Sequence, residues 1–270
     1  VNTGGIQYVS LGGLASSATL SGGTQTLSGT NAIAISTLIS TGGSQQILSG
    51  GIASATVINS GGIENISSGG LASGATINSS GTQNIYSAGI ASGATISASG
   101  IQNISNGGSA VATMINSAGT ENILSGGTAI STTVNTSGIQ YVSLGGLASS
   151  ATLSGGTQSV ISGGTALNTQ IASGGDQIVN GGAIVSGANL LSGGTQGLQS
   201  GASVTSTTVN TGATQAVGNA ALAISSILSG GTQNISSGGS ATATIIRSGG
   251  IENISTGGSD SNAVISSGGI

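Results

Sequence analysis

The sequence has no cysteine, histidine, proline, phenylalanine, tryptophan or lysine. Its 270 residues carry one cation, Arg247, and five anions, Glu64, Glu121, Asp176, Glu252 and Asp260, for a net charge of −4. Soluble domains usually carry about a quarter charged residues; here the figure is 2%. Each absence excludes something. Without cysteine there is no disulfide framework and no thiolate metal site. Without histidine there is no imidazole base and no histidine-containing zinc site or triad. One cation cannot neutralise a row of phosphates, so nucleic acid is excluded as a partner. Without proline, and with glycine well short of every third residue, the chain is not collagen. No apolar run approaches the roughly 18 residues of a membrane helix. The start, Val1-Asn2-Thr3-Gly4-Gly5, lacks the basic n-region of a signal peptide. Disorder usually needs low hydrophobicity and high net charge. A mean hydropathy of +0.36 fits a packed or self-associating chain.

What is present is a repeat. Val134 to Thr152 matches Val1 to Thr19 at every position but one, at an offset of 133 residues, which is seven times 19. A 19-residue unit tiles the chain, starting at Val1, Leu20, Ile39, Ile58, Ile77, Ile96, Ile115, Val134, Leu153, Ile171, Leu190, Val209, Leu228 and Ile246. A further partial unit starts at Ile265. The units at Leu153 and Leu228 are one residue short before their first glycine pair. The unit at Ile171 reads as losing a residue before Gly181-Gly182 and gaining one after. Indels at turns are what stacked coils tolerate.

The columns of the repeat differ in chemistry. Positions 1 and 9 are aliphatic throughout, and position 15 is Ala except at Ile184, Val204 and Asp260. Position 7 is always Gln or Glu, beginning Gln7, Gln25, Gln45, Glu64, Gln83, Gln102, Glu121 and Gln140. Gly or Gly-Gly recurs near positions 4–5 and 12–13. Gly, Ser, Thr and Ile are a poor choice for helices and a good one for strands. The glycine pairs mark turns, and the runs of five to seven residues between them suit short strands. Positions 7 and 9 lie two apart and share a face. Position 9 is core, so the Gln at 7 points inward or lies on the core's rim.

A constant period with every column preserved points to one repeat per turn of a solenoid. The fold class expected is all-β, a parallel β-helix of about 14 coils, read as one domain over residues 1–270. Coils stacked at about 4.8 Å would make a rod on the order of 65 Å long. The position-7 amides can then bond along the axis as a register-setting structural ladder. Asn65, Asn84, Asn103 and Asn122 form a shorter row at position 8, echoed by Asn234 and Asn253.

Catalytic chemistry is hard to place. A glycan-cleaving solenoid needs carboxylates clustered in a cleft. Glu64, Glu121 and Glu252 share a column but lie three and seven coils apart, roughly 14 Å and 34 Å at the strand spacing. Glu standing in for Gln is the simpler reading, and Asp176 and Asp260 are isolated. Calcium-binding repeats need an Asp in each unit, and phosphate loops need a following Lys and helix. No cofactor or metal is expected, and the protein is read as a non-enzyme. Tyr8 and Tyr141 sit at outward position 8, and Tyr86 at position 10.

A hydroxyl-rich surface remains. Ser60, Ser68, Ser79, Ser87, Ser117, Ser125, Ser173, Ser192, Ser237 and Ser248 flank the turns. Serine suits turns because it caps backbone amides locally. The same residues are also candidate O-glycosylation acceptors.

The unit INSGGIENISSGGLASGAT, Ile58 to Thr76, resembles the 19-residue repeats of the self-associating autotransporter adhesins of Gram-negative bacteria. With so little charge and so much serine it is most similar to their TibA-type members, and the likeness covers residues 1–270. It implies a right-handed parallel β-helix passenger, displayed on the cell surface after export through a C-terminal membrane barrel. It implies attachment to host cells, autoaggregation between copies and biofilm formation. It further implies O-heptosylation of repeat serines in the cytoplasm by a dedicated heptosyltransferase, a partner that takes the chain as substrate. Since neither leader nor barrel is seen in the sequence, a passenger fragment with an open coil edge is expected. The alternative is a curli-like fibre-forming structural protein that polymerises through its coil ends.

Overall fold

The computed structural model describes all residues 1–270. The chain forms 42 short strands and no helix. Three strands make one coil, and every third strand belongs to the same sheet, giving fourteen coils. In the coil around Glu64 the strands are Ile63–Ile66, Leu71–Ser73 and Thr76–Ile77. Each pairs in parallel with the strand one repeat away: Glu64 lies opposite Gln45, Ala72 opposite Ala53 and Ile77 opposite Ile58. The fold is an all-β parallel β-solenoid with one 19-residue repeat per coil.

The chain divides into two compact units, Val1–Thr133 with Ser137–Gln140, and Val134–Thr136 with Tyr141–Ile270. In the first unit the interior is built from three aliphatic columns. Leu27, Ile47, Ile66, Ile85, Ile104 and Ile123 stack from the first strand of each coil. Ile39, Ile58, Ile77 and Ile96 stack from the third strand, and Ala34, Ala53, Ala72 and Ala91 from the second. All are at most 1% exposed, so each large side chain gains most of the roughly 1.5–3 kcal/mol that full burial is worth. The second unit repeats the scheme with Val179 opposite Val160, Leu190 opposite Ile171 and Ala223 opposite Val204.

Two features depart from the sequence reading. The coil beginning at Ile171 has no indel. Its turn is Asn180 to Ala183, closed by the Ala183 N–H on the Asn180 carbonyl at 3.1 Å. The buried Ala column therefore holds Val185, opposite Ala166, while Ile184 stands outside at 58% exposed. The Gly181-Gly182 pair was a misleading anchor, because in this coil Ala takes the place of the second glycine. The second feature is a third corner, at position 17, that carries no glycine signature. All fourteen residues there have left-handed backbone, from Ser17 (φ 55°) and Ala55 (φ 53°) to Gly187 (φ 71°) and Asn262 (φ 62°). Left-handed backbone costs an L-residue roughly 1–2 kcal/mol. The N–H there donates to the next coil, Ala55 to the Ser73 carbonyl and Ser206 to the Ile224 carbonyl, both at 2.9 Å. That bond helps offset the strain, and the small residues Ser, Ala, Gly and Asn keep the crowding low.

Candidate functional site

The ten turn serines form a defined constellation. Each is the second residue of a four-residue turn closed by a backbone bond from the fourth N–H to the first carbonyl. Examples are Gly62 to Asn59 around Ser60, Gly70 to Ser67 around Ser68, and Gly194 to Leu191 around Ser192, each 2.8 Å. All ten precede a residue of positive φ, and in seven the serine itself is not left-handed, the type II pattern, as Ser173 precedes Gly174 (φ 74°). Ser68, Ser79 and Ser87 are themselves left-handed, with φ of 54°, 49° and 49°, the type I′ pattern. All ten are exposed. Neighbouring serines are not equivalent to them: Ser67 and Ser226 are buried, at 6% and 0%. Ser67 stands at position 10, in the column of Leu48 and Tyr86 on the adjacent coils, and is covered there, whereas Ser68 stands at the exposed turn tip.

The glycines of the next coil leave room beside these hydroxyls. A Cβ at Gly193 would lie 2.9 Å from Ser173 Oγ, and one at Gly212 would lie 2.8 Å from Ser192 Oγ. Gly257 and Gly268 stand in the same relation to Ser237 and Ser248, at 2.9 Å each. Glycine is favoured there by its positive φ and by the hydroxyl beside it, although Ser80, Ala88 and Ala118 hold the equivalent position in other coils.

The position-7 side chains point into the core. Gln25, Gln45, Glu64, Gln83, Gln102, Glu121 and Gln140 are 0% exposed. Each glutamine Nε2 donates to the side-chain oxygen one coil back. Gln25 donates to Gln7 at 2.7 Å, Gln45 to Gln25 at 2.6 Å, Gln102 to Gln83 at 2.5 Å and Gln140 to Glu121 at 2.6 Å. The second unit has Gln177 donating to Gln158 at 2.6 Å, and Gln196 and Gln215 donating onward at 2.7 Å. A buried hydroxyl at position 18 of the same coil completes the arrangement. Thr56 donates to Gln45 Oε1, Thr113 to Gln102 Oε1 and Thr169 to Gln158 Oε1, each at 3.2 Å. This partner was missed in the sequence because six coils carry Ala there, among them Ala75 and Ala94, which blurs the column. Outside the first sheet, Asn84, Asn103 and Asn122 each donate to the Asn one coil back at 2.9 Å.

The carboxylates do not meet in a cleft. Glu64 and Glu121 are fully buried among amides and aliphatic groups. Burial pushes both carboxyls above the ordinary value, opposed by the hydrogen bonds from Gln83 to Glu64 and from Gln140 and Thr132 to Glu121. Glu252 is raised to about 7 by burial and then by Asp260 beside it. Asp176 faces outward and accepts from Thr195 Oγ1 at 2.7 Å. Tyr8 and Tyr141 are exposed, at 74% and 39%.

No protein-family model matches the chain, and no curated protein matches it. Among solved structures, the crystal structure of a TibA fragment, hyper-glycosylated in a TibC-catalysed reaction, is similar over 100% of this chain and 96% of that one. The identity is 36% and the TM-score 0.87. Agreement of both fold and sequence along the whole chain defines the class: a TibA-like parallel β-solenoid passenger. The chain belongs to the TibA-like family of autotransporter adhesin passengers.

Proposed function

We propose that this chain is the surface-displayed passenger of a bacterial adhesin, O-heptosylated on the serines at its turn tips. The observation that carries the proposal is the placement of Ser60, Ser68, Ser79, Ser87, Ser117, Ser125, Ser173, Ser192, Ser237 and Ser248. All ten are exposed, and glycine lies beside several of the hydroxyls. The neighbour of similar fold and sequence was modified by TibC; a heptosyltransferase of that kind is the modifying partner inferred here. The acceptor chemistry is simple: the serine Oγ attacks the anomeric carbon of an activated heptose, its proton goes to a base, and the activating group leaves with the bonding electrons.

The role is non-enzymatic. Glu64 and Glu121 lie where no substrate can touch them, and apart from one carboxylate pair in the last coil, Glu252 with Asp260, the exposed polar groups are chiefly hydroxyls and amides. Attachment uses the outer faces of the sheets, with many weak Ser, Thr and Asn contacts in parallel. Multivalency among many displayed copies makes such contacts sufficient for binding to host surfaces and to other copies of the chain. Bacteria displaying this passenger together with the transferase are expected to aggregate and to adhere, and their passenger to gain whole multiples of a heptose mass. An unchanged intact mass rejects the modification. Normal dispersal and no attachment of cells with a verified surface display rejects the adhesin role.

A further inference from the structure

The amide ladder has a direction, and three of its members, Glu64, Glu121 and Glu252, cannot follow it as carboxylates. Glu252 lies in the last coil beside Asp260, and the two interior ones stand free of any other charge. Along the ladder a glutamine sends an N–H back one coil and receives one wherever the coil ahead also carries Gln, as Gln83 receives from Gln102. A carboxylate has no hydrogen to send. Glu64 remains opposite Gln45, and Glu121 opposite Gln102, in the same register as every other pair. Glu64 Oε2 accepts from Gln83 at 2.5 Å. Its other oxygen, Oε1, is buried with no partner. At Glu121 the bonds from Gln140 (2.6 Å) and Thr132 (3.0 Å) both fall on Oε2, with a long 3.4 Å contact from Thr132 to Oε1.

The repeat shows what the remaining oxygen faces. Gln45 Nε2 reaches Gln25 Oε1 at 2.6 Å and Thr37 Oγ1 at 3.3 Å. Gln177 Nε2 reaches Gln158 Oε1 at 2.6 Å and Thr169 Oγ1 at 3.2 Å. The equivalent acceptors for Glu64 are Gln45 Oε1 and Thr56 Oγ1, and Thr56 already gives its one hydrogen to Gln45 at 3.2 Å. Three oxygens then share one hydrogen. The same holds for Glu121, Gln102 Oε1 and Thr113, which donates to Gln102 at 3.2 Å. An ionised Glu at either place sets a buried negative charge against an amide oxygen, whereas one added proton supplies the missing bond.

We propose that Glu64 and Glu121 are carried in the fold as neutral carboxylic acids, each donating its proton to the amide oxygen of the preceding coil, Gln45 Oε1 and Gln102 Oε1. The ladder is thus closed at two coils by a titratable hydrogen, and it opens there when that hydrogen is lost. No charge on the surrounding strands competes. Glu64 is packed among Leu38–Ser40, Ser44–Ile47, Gly51–Ser54, Leu71–Ser73 and Thr82–Ile85, none of which has an ionisable side chain. Glu121 is packed among Ile101–Ile104, Ser109–Val111, Met114–Ile115 and Thr128–Ile130, which have none either. Tyr141, on the strand that carries Gln140, stands at an exposed outward position. The only cation, Arg247, is exposed.

The sign follows from burial. Both carboxyls are raised in the fold, so the folded chain holds more protons than the unfolded one above the ordinary Glu value. Stability is fully present below that value and falls as pH rises through the shifted one. The solenoid is therefore tightest in mildly acidic surroundings and loosens at these two coils in alkaline ones. This inference concerns the core and stands apart from the modification of the surface serines.

The test compares the wild-type chain with the double variant Glu64→Gln/Glu121→Gln, both retaining Glu252, whose own titration then cancels. Gln already fills this column in eleven of the fourteen coils, so the variant fits the fold. Infrared difference spectra at neutral pH, with 13C-labelled glutamate, should show a protonated-carboxyl C=O band in the wild type that the variant lacks. The wild-type urea midpoint should fall between about pH 5 and about pH 9. The variant should fall less and exceed the wild type at the alkaline end. An absent band, or equal slopes and midpoints for the two proteins, overturns the proposal.

Discussion

At the residue scale, one ladder glutamine serves three neighbours. Gln177 donates to Gln158 Oε1 at 2.6 Å, touches Thr169 Oγ1 at 3.2 Å and accepts from Gln196 at 2.7 Å. Replacing it with an apolar side chain removes the shorter of two bonds to Gln158 Oε1 and leaves the buried Gln196 Nε2 without its acceptor. An unsatisfied buried polar group costs about 1–3 kcal/mol. Gln177→Leu should therefore lower the unfolding free energy by roughly 2–4 kcal/mol, read from urea denaturation. Asn84→Ser, in the half-buried outer row, should stay within about 0.5 kcal/mol. Equal effects of the two would mean that the inner ladder contributes nothing beyond volume. The inward direction of position 7 was legible because it alternates with the aliphatic position 9. The hydroxyl that completes it was not, since Thr56 and Thr113 share their column with Ala75 and Ala94 and no pattern within one repeat marks the contact.

At the scale of elements, strand length and corner type set the repeat. Two corners announced themselves through glycine. The third, at position 17, did not, because its left-handed residue is Ser, Ala or Asn in most coils and needs no particular side chain. Its geometry comes from the stacking: the corner N–H finds a carbonyl of the adjacent coil, as Ala112 does with Ile130 at 2.9 Å. Ala112 has φ 55°. Ala112→Gly should hold or raise stability by up to about 1 kcal/mol, while Ala112→Val, β-branched at a positive φ, should cost about 2 kcal/mol or more. Thermal melts of the pair decide this; a Val variant as stable as the Gly variant would show that the corner is not held left-handed. The placing of Ile184 in the position-15 column failed at the same level. Glycine pairs were used to set the register, and in that coil Ala183 fills the place of a glycine.

At the scale of the molecule, the scarcity of charge has two consequences. Stacked columns repeat every ~4.8 Å, where like charges would repel, so Gln, Ser, Thr and Asn replace ions. Two of the six charges, Glu64 and Glu121, are also buried and add nothing to hydration. A surface with so few ions is poorly protected from association. Sugars on the turn serines would supply the missing hydration. The heptosylated chain should therefore stay in solution at concentrations where the unmodified chain precipitates, as sedimentation of matched samples would show. Equal solubility would remove hydration as a reason for the modification. The family and the coil count were legible in the 19-residue period and the near-absence of ions. Which serines face outward was legible only as a turn pattern, since Ser67 and Ser68 are adjacent and Ser67 is covered only through its neighbours on the adjacent coils.

The most direct test is glycopeptide mapping of the passenger produced with a TibC-type heptosyltransferase. The account predicts heptose on the turn-tip serines, Ser60, Ser117, Ser125, Ser173, Ser192, Ser237 and Ser248 among them, and none on the buried Ser67 and Ser226. An unmodified chain, or heptose on Ser226 as readily as on Ser192, would contradict it.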